Sequence, residues 1–117
     1  MSGLTFNVKT ALNSAEIKAD LEATTRQVQA PLDALILQDS NFFCPIKTGA
    51  LQKSAITNSR IGSGELVWRT PYAHRLYYEY EKPAHQANPN ACAKWFEAAK
   101  ARWLDKWVRF INERIKR

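Results

Sequence analysis

From Ala91 to Ile115 apolar residues recur with the helical period, and no other feature constrains the chain as much. At about 100° per residue, Cys92, Trp95, Phe96, Ala99, Trp103, Trp107 and Phe110 fall within an arc of roughly 120°. Leu104, Val108, Ile111 and Ile115 widen the apolar face late in the segment. Lys94, Arg102, Asp105, Arg109, Asn112 and Lys116 lie opposite. A helix this rich in tryptophan on one side needs a broad partner. Either the long first helix of the same chain covers it, or a second contact surface does.

The rest of the chain supplies that first helix and a small sheet. Leu4, Phe6 and Val8 alternate with Thr5, Asn7 and Lys9, which reads as a short strand or an arm. Asn13 with Glu16 three residues on marks a helix start of the capping-box kind. Ile17, Leu21, Val28, Leu32, Leu35 and Ile36 continue at helical spacing to about Asn41. Pro31 interrupts this run and predicts a kinked long helix or two helices end to end. The chain leaves that helix at Phe42–Lys47, because the residue before Pro45 is biased away from helix. Thr48–Ser54 forms one or two helical turns capped by Thr48, or an ordered loop.

Ala55–Arg60 and Glu65–Thr70 flank Gly62-Ser63-Gly64, and Leu66 and Trp68 alternate with Val67 and Arg69. This pattern predicts a β-hairpin ended by Pro71. Tyr72–Tyr80 reads as a short helix or an aromatic-rich loop. Glu81–Pro89 reads as a polar loop, with Asn88 or Asn90 capping the last helix. The expected fold is α+β, one domain over residues 1–117. In it a small antiparallel sheet, the hairpin plus one further strand, packs with a long N-terminal helix and a long C-terminal helix.

Composition agrees with a single packed core and narrows the chemistry. Of 117 residues 45% are hydrophobic, enough to offset the entropy of ordering the chain. The net charge of +6 concentrates at the C-terminus, where Arg102, Lys106, Arg109, Arg114, Lys116 and Arg117 face only Asp105 and Glu113. Such an end meets acidic protein, nucleic acid or water. Trp103 and Trp107 lie among these cations, but they share a face with Phe96 and Phe110, which argues for core rather than base stacking. Cys44 and Cys92 form no CxxC and have no histidine at ligand spacing, so no zinc site is expected. The first residues lack the pattern of a signal peptide, and no apolar stretch reaches bilayer length. These features predict a protein made in the cytoplasm with reduced thiols, and with no membrane partner. Among the motifs of catalysis none is present. His74 lies among aromatics, His85 in the polar loop, and Cys44 precedes a proline at a helix exit. No enzyme activity, cofactor or metal is expected.

Three blocks, in order, carry a family pattern. The first is Pro45-Ile46-Lys47-Thr48-Gly49-Ala50-Leu51-Gln52-Lys53-Ser54. The second is Gly64-Glu65-Leu66-Val67-Trp68-Arg69-Thr70-Pro71-Tyr72-Ala73, followed by Tyr77-Tyr78. The third is Asn88-Pro89-Asn90-Ala91 with Trp95-Phe96-Glu97-Ala98-Ala99-Lys100 and Trp107 beyond. Their order resembles the minor capsid proteins of tailed bacteriophages, related to head–tail joining and tail-completion proteins. Where that family often has glycine after the tyrosine pair, Glu79 stands here.

The resemblance implies a non-catalytic virion protein, made in the host bacterial cytoplasm and placed in the neck. It implies a ring of copies of itself, between head connector, adaptor or stopper proteins and tail terminator or tail tube proteins. Tail termination, head completion and a basic DNA-contacting role are the alternatives. The basic helix leaves room for non-specific contact with DNA in the channel. Within the motifs, Thr48 and Gly49 make a cap and turn that points Leu51 inward, and Pro71 ends a strand. Trp68, Tyr72, Trp95, Phe96 and Trp107 are core fillers. Interface contact is expected from Tyr77, Tyr78, Lys82 and His85, and from the tip residues Ile61 and Ser63, with core the open alternative for the two tyrosines.

Overall fold

The alternation of Leu4 and Phe6 with Thr5 and Asn7 produces a strand, β1 (Leu4–Asn7), whose Leu4 is buried while Thr5 and Asn7 face outward. The computed structural model describes residues 3–8, 12, 26–46, 49–81, 86 and 88–115. Strand β1 pairs antiparallel with β2 (Glu65–Trp68) in the register Leu4↔Trp68, Thr5↔Val67, Phe6↔Leu66 and Asn7↔Glu65. Val8 extends the ladder by donating its amide to the Gly64 carbonyl at 2.7 Å. The expected α+β class with an antiparallel sheet between long helices is therefore observed, with one correction to the sheet.

There is no hairpin. Most of the run expected as its first arm, Ala55–Asn58, belongs to a helix, α2 (Ala50–Asn58), of more than two turns; Ser59 is already extended and Arg60 bridges to Glu65. The reason lies in the buried set Leu51, Ser54 and Ala55, which share one face at helical spacing and pack against β2. Ile56, which a strand would have paired, is 66% exposed. Two serines then take over the role of the missing strand. The Val67 amide donates to Ser59 Oγ at 2.8 Å, and the Arg69 amide to Ser54 Oγ at 3.0 Å. These bonds satisfy the outer edge of β2, which would otherwise carry unpaired donors. Only one bridge of hairpin character survives, the Arg60 amide donating to the Glu65 carbonyl at 2.8 Å.

The N-terminal helix is seen as α1 (Arg26–Phe42), which runs through Pro31 and ends within a residue of the expected Asn41. The predicted start at Asn13 lies outside the described residues. Pro31 is exposed, so its ring lies on the outer side of the helix. Leu32, Asp33, Ile36, Leu37 and Ser40 form the buried stripe. After α1 the chain turns at Phe43 and Cys44, whose amides bond back to the Ser40 and Asn41 carbonyls. Gly49, with φ 86°, is the residue preceding α2; Thr48, expected as its cap, lies outside the described residues.

Tyr72–Tyr80 resolves as helix α3 (Ala73–Glu79). The last helix, α4 (Trp95–Ile115), starts four residues later than its hydrophobic pattern predicts. Lys94 sits in the left-handed region at φ 53° and donates its amide to the Tyr77 carbonyl at 2.7 Å. Cys92 therefore precedes the helix instead of sharing its apolar arc, and its amide bonds to the Phe43 carbonyl. Asn88 does not cap α4. Its side-chain amide donates to the Phe42 and Cys44 carbonyls at 2.9 and 2.8 Å, clamping the exit of α1.

The core is aromatic and joins every element of the sheet side. Phe6 stacks on Phe96 with centroids 4.5 Å apart, and meets Trp68 and Tyr77 at 5.8 and 5.2 Å. Trp95 meets Tyr77 edge to face at 4.9 Å and Trp68 at 6.2 Å. Helix α4 lies along α1, so the long first helix meets Trp103 and Trp107, while β2 and α3 cover Trp95. A break at Trp103, with φ −123° and ψ 17°, divides α4 into a half that packs Trp95, Phe96 and Ala99 and a half that packs Trp107 and Ile111.

Candidate assembly surface

With so much aromatic area sealed inside, three surface features stand out among the described residues. The first is the outer side of α3. Tyr77 and Tyr78 are adjacent and therefore point roughly 100° apart on a helix. Tyr77 is 2% exposed, its hydroxyl accepting the Glu97 amide at 3.4 Å, while Tyr78 is 53% exposed. Burial pushes the Tyr77 phenol above its usual range. Around Tyr78 lie the ring of His74, at 4.9 Å between centroids, and the Lys94 ammonium, at 5.9 Å. Tyr78 is thus the member of the pair that a neighbour can touch, and Tyr77 belongs to the core.

The second feature is the glycine turn between α2 and β2. The Asp33 carboxylate, buried on α1, accepts the amides of Gly62 and Gly64 through Oδ2 at 2.9 and 2.8 Å, and the Gln29 amide through Oδ1 at 2.7 Å. Gly62 and Gly64 have φ of 100° and 86°, which aims successive amides at one oxygen. This anchor was not legible in the sequence, since an acidic residue in a helix gives no hint of a turn 29 residues away. Ile61 is half-buried against the core, and Ser63 is exposed with its hydroxyl donating to the Arg60 carbonyl.

The third feature surrounds the break in α4. Phe42, 43% exposed, meets Phe43 and Trp103 edge to face at 5.0 and 5.3 Å, and Phe43 meets Trp103 at 5.6 Å. Over the Trp103 ring lie the Arg102 guanidinium at 5.4 Å and the Lys106 ammonium at 4.8 Å. Lys106 also pairs with Asp39 at 2.9 Å. Sequence periodicity alone places Trp103 in the centre of the apolar arc; the break leaves it half-buried at the edge.

Of the other motif residues, Leu51, Trp68, Trp95, Phe96 and Trp107 are buried, Gly49 and Tyr72 are half-buried, and Pro71 is exposed after β2. Lys82 and His85 lie outside the described residues. Cys44 is fully buried and free, and burial, with Cys92 nearby, pushes its thiol well above the usual range. Among the described residues, no helix is long and apolar enough to cross a membrane.

A family model described as minor capsid protein matches residues 7–114. The chain belongs to the minor capsid protein family. No curated protein and no solved structure matches it. The match spans all three motif blocks and both long helices, so the resemblance drawn from those blocks holds over nearly the whole chain. As a phage minor capsid protein, the chain is a structural component of the virion that associates with other virion proteins. The three surface features are then candidates for where a minor capsid protein meets its neighbours.

Proposed function

We propose that this minor capsid protein is a neck subunit of a tailed phage, acting in tail completion by assembly alone. Copies form a ring between the head connector and the tail, each contact heterologous and the ring closed by rotation. The observation that carries this reading is the division of the aromatic residues. Trp68, Tyr77, Trp95, Phe96 and Trp107 are sealed in the core, while Tyr78, Phe42 and Trp103 stay open at defined patches. A rigid body with a few aromatic anchors suits an adaptor between preformed rings. Tyr78 with the Glu81–Pro89 loop, including Lys82 and His85, serves the contact between copies, and the Ile61–Ser63 tip reaches the next subunit. Many modest contacts then add through multivalency.

Catalysis has no part in this reading. Burial keeps the Cys44 thiol in its neutral, non-nucleophilic form. Electron microscopy of particles from a deletion mutant tests the proposal. Full heads and separate, unjoined tails are expected; normal infectious particles would overturn it.

A further inference from the structure

The patch at the break of α4 has the anatomy of a docking site, and we infer that it receives an acidic segment of a neighbouring virion protein. The inference rests on the assembly role proposed above and names the partner chemistry of one of its surfaces. Phe42, Phe43 and Trp103 form an apolar centre that stays partly open. Arg102 and Lys106 stand at its margin. Aromatic residues with arginine at the rim are the composition that protein interfaces favour.

Charge decides among occupants. Lys106 is already matched by Asp39, whereas Arg102 is exposed and has no ion-pair partner among the described residues. An incoming carboxylate completes that corner. Contacts between copies are already assigned above to Tyr78 and the Ile61–Ser63 tip, which leaves this patch for a different virion protein. Nucleic acid fits less well. Two cations already lie over the Trp103 ring, so a stacking base would have to displace them. Phosphate binding also draws on a row of free cations, and Lys106 is already paired with Asp39.

The geometry is also held rigidly where it matters. The Asn88 side chain clamps the Phe42 and Cys44 carbonyls, and Gln52 donates to the Asn41 and Cys44 carbonyls at 3.0 and 2.9 Å. The backbone that presents Phe42 and Phe43 is thus fixed from both sides before any partner arrives, which lowers the entropic cost of docking.

The test uses the full chain supplied in trans to a phage lacking its gene. Arg102→Glu and Phe42→Ala are each expected to lower incorporation per head by about tenfold or more, with melting temperatures near that of the parent protein. A photo-crosslinking residue at position 42 is expected to capture, in assembled particles, a peptide of net negative charge from another virion protein. Normal incorporation of Arg102→Glu would overturn the inference, as would crosslinks confined to a second copy of the chain or to nucleic acid. Failure of the broader reading looks different, because the deletion itself would then leave particles intact.

Discussion

Trp107 and Asp39, 68 residues apart, are joined by a hydrogen bond of 2.7 Å from the indole N–H to Oδ2. The bond sits between the two long helices, and the same oxygen pairs with Lys106 at 2.9 Å. Asp39→Ala leaves a buried indole donor without its acceptor, at a cost of about 2 kcal/mol. Asp39→Asn keeps an acceptor and loses less, because Lys106 is partly exposed and screened. Urea denaturation of both variants checks the order; equal losses would show that the ion pair, not the indole bond, carries the effect.

The Asp33 anchor of the glycine turn is open to a local measurement. Asp33→Ala removes the acceptor of two backbone amides and of the Gln29 side-chain amide, and is expected to destabilise the protein by roughly 2–3 kcal/mol. Hydrogen exchange should accelerate at Gly62 and Gly64 well before it does at Val67, whose amide is held by Ser59. Uniform acceleration would mean that the turn has no separate anchor.

Lys94 holds a left-handed backbone at the start of α4, a conformation that costs a residue with a side chain about 1 kcal/mol. Lys94→Gly or Lys94→Asn should therefore raise the melting temperature by a few degrees, despite losing the ammonium near Tyr78. A fall in thermal stability for both variants would contradict the backbone geometry.

Alkaline pH offers a further check. Cys44 and Tyr77, with usual pKa values of 9.0 and 10.0, are both raised by burial. In the native state they keep their protons while the unfolded chain loses them, so their contribution is complete below about pH 9 and declines as pH rises beyond it. The loss approaches roughly 1.4 kcal/mol per pH unit for each group. Urea midpoints between pH 8 and 11 should fall accordingly, and Tyr77→Phe should flatten the upper part of the curve. A flat profile in the parent protein would show that neither group is shielded.

Much of this was legible in the sequence because it depends on period alone. The apolar spacing of Leu32 and Ile36, of Trp95, Phe96, Ala99 and Trp107, and of Leu4 and Phe6 specified two helices and a strand without reference to anything distant. The motif blocks identified the family because the order of residues survives in the chain itself.

What tertiary contact decided was everything whose cause lies far along the chain. Ala55–Arg60 reads as a strand, yet Ala55–Asn58 is helix, with Ser54 inside that helix and Ser59 just after it bonding the edge of β2. Asn88 looked like a cap and instead clamps carbonyls more than forty residues earlier. Trp103 has the same period as its buried neighbours, yet the helix breaks at it and its ring lies against Phe42 and Phe43 at the end of α1. Period fixes which residues face together, but the partner fixes where a face ends, and that boundary decides which aromatics remain for a neighbour to find.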